Sequence, residues 1–375
     1  MKIILFANTE WYLYNFRLSL AQALRGEGHE VVLVSPPGKY SRCLEEAGFR
    51  WIPFPFSTRG MNPLAELATI WRLWALYRRE KPDAVHHFTI KCVLYGSLAA
   101  QVAGVRRIIN AITGLGFVFI GRSRREGGLR WLVKGLYRVA LKNTQVVFQN
   151  EDDRSLFFEL GLVEKNQCCL IPGSGVDTSR FVIKADPSGP VLVVLPARML
   201  WDKGVREYVE AARILKEQGV TARFALVGDT DPDYPACVPE QQLKEWQASG
   251  VVEWWGWQED MPAVYSQAHI VCLPSYREGL PRTLAEAAAC GRALVAADVP
   301  GCRSIVRQGE NGLLVPVRDG QALAEALRTL ILDPALRKRM GLRGREIVMK
   351  EYSTEKVLAD TLRLYQFGLV AGAAA

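Results

Sequence analysis

The sequence predicts an α/β protein made of two doubly wound domains in succession. Two observations carry this: continuous apolar runs of strand length recur along all 375 residues, and segments of helical periodicity separate them. Runs that are apolar throughout, rather than alternating, indicate parallel sheets covered on both faces.

In chain order, the strand candidates of the first half are KIILFAN, EVVLVS, DAVHHF, RRIINAIT, TQVVFQN and CCLIP. Those of the second half are VLVVLPAR, RFALVG, VVEWWG, HIVCLPS, ALVAADV and GLLVPV. Between them, FRLSLAQALRGEG stops on glycine as a helix does, and VREYVEAARILKEQG repeats the pattern. KADPSGP, residues 184–190, reads as a linker, which divides the chain into domains 1–183 and 184–350 and leaves a terminal segment 351–375. Ligands of doubly wound sheets bind beyond the carboxyl ends of the strands, so two facing domains would place theirs in the cleft between them.

At 49% apolar and 23% charged, the composition is that of a globular protein. No segment approaches the roughly 18 uninterrupted apolar residues of a spanning helix, and MKIILFAN is too short for a signal-peptide core. The eight cysteines lack zinc-type spacing. Cys168, Cys169, Cys272 and Cys290 fall in apolar runs, so buried thiols in a reducing cytosol are expected. The net charge of +8 is concentrated: residues 1–185 hold 25 Lys/Arg against 15 Asp/Glu, the remainder 22 against 24. The basic half should meet an acidic partner. Nucleic acid is disfavoured, since no recognised motif is present and the charge is not interleaved with aromatics. Anionic lipid or a lipid diphosphate fits better.

Chemistry concentrates in PSYREGLPRTLAEAAACG, where Glu278 and Glu286 straddle a strand-to-helix turn. Gly279-Leu280-Pro281 feeds a helix beginning near Pro281, whose open N–H groups suit a phosphate. Glu286 is expected about 200° round from Leu284, on the open helix face. Two acceptor-only carboxylates around an anion site suit a ligand with phosphate in the middle and hydroxyls at both ends, the layout of a sugar nucleotide. At the end of VLVVLPAR, Arg198 and then Lys203 lie where cations can clamp a diphosphate, although both could equally be solvated surface charges.

PARMLWDKG, FALVGDTDPD, VEWWGWQEDMPAVYSQAHIVCLPSYREGLPRTLAEAAACG, DVPGCRSIVRQGENGLLVP and IPGSGVDTSRF together resemble the family 4 glycosyltransferases of GT-B fold, over nearly the whole chain. The resemblance implies two Rossmann-like domains facing a cleft, the first binding acceptor and the second nucleotide sugar, with a last helix near 354–367 crossing back to the first. It also implies a retaining, metal-independent hexosyl or N-acetylhexosaminyl transfer from a UDP-sugar, with no cofactor. The acceptor implied is a polyprenyl-diphosphate-linked glycan in surface polysaccharide assembly. Arg198 and Lys203 would bind the donor diphosphate, Glu278 the transferred sugar, Glu286 the ribose, and Gly279 and Leu280 the turn beside them. A GT-B nucleotide-sugar 2-epimerase and a non-catalytic partner of another transferase are the alternatives.

In the first half, Asn8-Thr9-Glu10-Trp11 stands where relatives carry a glycine-rich loop, and Asn8 is an acceptor-side candidate. In DAVHHFTIK, His86 matches the first histidine of a pair seen in relatives, Phe88 replaces the second, and His87 falls between them. Adjacent strand residues face opposite ways, so one histidine is expected in the cleft: His87 as a catalytic candidate or His86 on the acceptor side, with a core histidine as the plain alternative. Lys91 could meet an acceptor phosphate, or be a surface lysine. Acceptor selection falls to loops 10–15, 86–91 and 114–121, with Thr113-Gly114-Leu115-Gly116 a flexible turn. Asp229, Asp231 and Asp233 read as turn residues rather than metal ligands. In residues 122–142, Arg122, Arg124 and Arg125 precede Arg130, Lys134, Arg138 and Lys142 at four-residue spacing. This stripe belongs either to an ordinary amphipathic helix or to one lying on an anionic membrane surface at the cytoplasmic face.

Overall fold

The computed structural model describes residues 1–57, 62–114 and 126–366, the side chains of 126–132 excepted. The chain forms two compact units, Met1–Ser174 with Glu355–Ala375, and Gly175–Thr354.

In the first unit, β1 (Lys2–Phe6), β2 (Glu30–Ser35), β3 (Arg50–Pro53), β4 (Ala84–Phe88), β5 (Arg107–Ile112), β6 (Gln145–Phe148) and β7 (Cys168–Leu170) make one parallel sheet. Its order is β3-β2-β1-β4-β5-β6-β7. The continuous apolar runs have the expected cause. Ile3 and Leu5 enter a core with Leu20, Leu24 and Tyr365, whereas Ile4 and Phe6 point to the other face, against Leu73, Tyr77 and Ala99. The strand Arg50–Pro53 has no counterpart among the sequence candidates. It is four residues long, ends in proline and lies at the sheet edge, where the missing N–H is tolerated and the pattern is weak. The helix Thr354–Gln366 packs on this unit through Val357 and Tyr365.

The second unit holds β8 (Val191–Pro196), β9 (Ala222–Val227), β10 (Glu253–Trp254), β11 (Ile270–Leu273), β12 (Ala293–Ala297) and β13 (Gly312–Val315), parallel in the order β10-β9-β8-β11-β12-β13. Strand order reverses between β1 and β4 in one sheet and between β8 and β11 in the other. Beyond the carboxyl ends of such a pair the loops diverge and leave a ligand crevice.

The domain boundary differs from the expectation at 183/184: the units divide at Ser174/Gly175 and Thr354/Glu355. Residues 175–183 belong to the second unit, where Val176 N donates to Tyr352 O and Arg345 donates to the carbonyls of Thr178 and Ala289. The 184–190 segment is a strap on the same unit. Buried Arg292 holds Asp186 at 2.8 Å and Lys184 O at 3.1 Å, and His269 Nε2 lies 3.1 Å from Pro187 O. Its Pro/Gly/Ser composition reflects irregular backbone, which the distant Arg292 and His269 immobilise.

Candidate functional site

The second unit gathers most of the sequence candidates at its reversal point. Beyond Pro196, Ala197 N and Met199 N donate to Val227 O and Asp229 O, which continues the β8–β9 ladder past the sheet and sets Arg198 at its lip. The chain then turns through Trp201–Lys203 to Gly204, whose φ of +72 is left-handed. A Cβ at Gly204 would lie 2.2 Å from Pro274 O, so this loop presses directly on the loop leaving β11. Tyr276 N donates to Asp202 O at 2.9 Å, stitching the two loops together. The result brings Lys203 Nζ to 2.5 Å from Glu278 Oε1, across 75 residues of sequence.

Arg198 is half exposed; its Nη1 lies 3.3 Å from Asp231 Oδ2, and its guanidinium 5.2 Å from the Tyr234 ring centre. Asp231, expected only as a turn residue, therefore orients a site cation. Among the described residues no three His, Cys, Asp or Glu side chains cluster as metal ligands.

The helix of the PSYREGLPRTLAEAAACG segment runs Arg282–Ala289, one residue later than expected, with Pro281 as an N-cap that offers no side-chain bond to the helix N–H groups. Gly279 backs onto the next helix: a Cβ on Gly301 would meet Gly279 O at 2.5 Å. Leu280 is half-buried against the apolar core. Glu286 does not occupy an open helix face. It is buried, with Oε1 at 2.7 Å from Arg282 Nε and Oε2 accepting from Tyr265 OH at 3.2 Å. Burial lifts its pKa above the usual carboxylate value, and Arg282 and Tyr265 oppose that rise. Arg282 lies four residues before Glu286, a spacing legible in sequence; Tyr265 on a separate helix is not.

In the first unit, both histidines are buried. His87, the catalytic candidate, is fully buried with both ring nitrogens engaged, the surroundings of a core residue: Nε2 lies 3.0 Å from Tyr77 OH and Nδ1 2.9 Å from Asn110 Oδ1, and Asn110 in turn accepts from Ser97 Oγ. Burial lowers the His87 pKa to about 4, so the ring is neutral. Gly96 makes room for it, since a Cβ there would lie 2.6 Å from the imidazole. His86, on the opposite face, meets Tyr365 OH through Nδ1 at 2.7 Å. Lys91 lies 2.6 Å from Glu66 Oε1, so an acceptor phosphate would have to compete with a carboxylate for it. Asn8 is half-buried just past β1. Glu10 fills the position of the absent glycine-rich loop, buried against Gly38 and accepting from Tyr40 N at 3.4 Å. Thr89, between Phe88 and Lys91, holds a φ of +72 that is strained for a β-branched residue, at the carboxyl end of β4.

Of the basic segment, Arg122, Arg124 and Arg125 and the side chains of Arg130, Trp131 and Leu132 lie outside the described residues, as do Leu115 and Gly116. Arg138 donates to the carbonyls of Leu160 and Gly161, so it serves the unit's own backbone. No helix among the described residues is long and apolar enough to cross a membrane.

If His87 is structural, His87→Ala should cost about 2–4 kcal/mol of stability, through a cavity and the unpaired Tyr77 and Asn110 it leaves. Turnover measured well below the unfolding transition should stay within threefold of the parent. A much larger loss in a folded variant would return His87 to the catalytic set.

Two parallel doubly wound sheets in one chain have the architecture of the GT-B class of α/β protein, which solved glycosyltransferase structures share. Residues 2–151 match the family described as glycosyl transferase 4-like, and residues 190–333 that described as glycosyl transferases group 1. The chain belongs to the group 1, family 4 glycosyltransferases. The N,N'-diacetylbacillosaminyl-diphospho-undecaprenol alpha-1,3-N-acetylgalactosaminyltransferase of Campylobacter jejuni is 28% identical over 94% of this chain and 95% of its own. The UDP-Gal:alpha-D-GlcNAc-diphosphoundecaprenol alpha-1,3-galactosyltransferase of Escherichia coli is 24% identical over 75% of each. Among solved structures, Anabaena HepE in complex with UDP has a TM-score of 0.78 at 18% identity, covering 98% of this chain and all of that one. That likeness is one of fold.

Proposed function

We propose that the chain is a retaining, metal-independent transferase that moves a hexosyl or N-acetylhexosaminyl group from a UDP-sugar to a polyprenyl-diphosphate-linked glycan. It would work at the cytoplasmic face of a membrane, in surface polysaccharide or glycan assembly. The observation that carries this is the Lys203–Glu278 pair formed where the loops leaving β8 and β11 meet, with Arg198 on the same loop beyond β8 and paired with Asp231. Both cations are met by carboxylates that a diphosphate can displace. The curated relatives support the acceptor class, since their names specify diphospho-undecaprenol-linked sugars.

In this reading Arg198 and Lys203 neutralise the charge that develops on the leaving diphosphate. Front-face displacement lets that phosphate take the acceptor proton, so cations are needed more than a base. Glu278, released from Lys203, accepts hydrogen bonds from sugar hydroxyls. Glu286 turns its remaining lone pairs to the ribose, held in place by Arg282 and Tyr265.

The test is UDP release by the purified protein across a panel of UDP-sugars, with polyprenyl-diphosphate-linked acceptors, product mass and the anomeric configuration of the new bond as readouts. Interconversion of the sugar nucleotide without UDP release would mark an epimerase. No turnover with any pairing would mark a non-catalytic partner. Either outcome overturns the proposal.

A further inference from the structure

The helix Pro63–Glu80 of the first unit turns an apolar face to solvent. Leu64 is 77% exposed, Leu67 62% and Trp71 63%. With Ala68 and Ala75 they occupy one sector about 100° wide. A helix face that meets only water ordinarily carries its charges there. Here both carboxylates of the helix are turned away: Glu66 meets Lys91, and Glu80 meets Arg50 at 2.7 Å and Lys2 at 2.9 Å. The charges left near the outward face are cationic, with Arg78 and Arg79 exposed in the last turn. The unit as a whole is the basic half of the chain.

The position of this ridge is fixed relative to β4. Lys91, at the start of the helix Ile90–Ala103, bonds Glu66 at 2.6 Å and Ser57 O at 2.9 Å. Leu64 and Leu67 flank Glu66 along the helix axis but lie about 160° and 100° round from it, so the apolar ridge begins level with Lys91 and faces away from it.

We propose that this face docks onto a bilayer containing anionic lipid, with Leu64, Leu67 and Trp71 in the acyl boundary and Arg78 and Arg79 at the headgroup phosphates. The proposal rests on the lipid-linked acceptor reading and deepens it: docking would hold the first unit at the surface that carries the membrane-held diphosphate. It assigns the membrane surface to residues 64–79 rather than to the basic stripe of 122–142.

The test is co-sedimentation of the full chain with vesicles of phosphatidylethanolamine and phosphatidylglycerol, against phosphatidylcholine alone. The parent should bind the anionic vesicles preferentially, and the Leu64→Ser, Leu67→Ser, Trp71→Ser triple variant should partition at least about tenfold less. UDP release with a water-soluble short-chain acceptor should be unchanged in the triple variant, and release with a vesicle-embedded acceptor reduced. Binding by the triple variant within twofold of the parent, or no binding by the parent, overturns the proposal. So does a parent dimer that the triple variant abolishes, because the face would then meet a second copy. Loss of vesicle binding in a protein that turns over no sugar nucleotide would leave the docking face standing while the transferase reading fell.

Discussion

Arg198→Ala is expected to lower turnover at saturating donor by about 100-fold or more, with almost no change in unfolding midpoint. The two halves of that expectation have separate causes. A charge-assisted contact to a leaving group strengthens as negative charge develops, and removing one such donor costs about 3 kcal/mol of transition-state stabilisation. In the free protein the same side chain is half exposed and held by a 3.3 Å pair to Asp231 and by the Tyr234 ring, contacts that contribute little to folding. Arg198→Lys should recover only part of the loss, because an ammonium cannot reproduce a planar fork across two phosphate oxygens. Steady-state kinetics on the purified variants decide it. Turnover of the alanine variant within threefold of the parent would remove Arg198 from the leaving group.

The alternation of strand and helix was legible because it is written locally. Continuous apolar runs such as VLVVLPAR need no partner to be read as doubly covered strands, and all twelve runs chosen on that basis correspond to strands. Arg50–Pro53 escaped because an edge strand needs neither length nor a full apolar run. Arg198, Lys203 and Glu278 were legible as residue types beyond strand ends, but their pairing was not. Lys203 and Glu278 meet only because β8 and β11 are sheet neighbours, and neighbour order is a long-range property. Burial misled in the same way. Helical angle alone placed Glu286 in the open, whereas Tyr265, from the helix Met261–Gln267, covers it. The burial of His87 followed the same rule, since its partners come from the helix Pro63–Glu80 and from the neighbouring strand β5, where Asn110 stands in register with it.

Gly204→Ala is expected to depress turnover by about 100-fold in a protein that still folds, the scale reached when a catalytic group moves by about 1 Å. The control is Gly219→Ala. Both glycines sit near the same left-handed φ, +72 and +74, so an alanine at either incurs a backbone penalty of about 1–2 kcal/mol. They differ in surroundings. Nothing lies within 4 Å of a Cβ at Gly219, whereas at Gly204 it would meet Pro274 O at 2.2 Å. Pro274 belongs to the backbone leaving β11, so no side chain can swing aside to relieve the contact. The two loops must separate, and the Asp202 O–Tyr276 N bond and the Lys203–Glu278 pair lie at the point of separation. Gly204→Ala should also lose more stability than Gly219→Ala, because separating the loops adds to the backbone penalty they share; turnover of the folded variants shows whether that separation reaches the site. A Gly204→Ala protein as active as Gly219→Ala would mean that the spacing of the two loops, which sets where Lys203 and Glu278 stand before substrate parts them, does not limit catalysis, and one of the two would then lie outside the donor site.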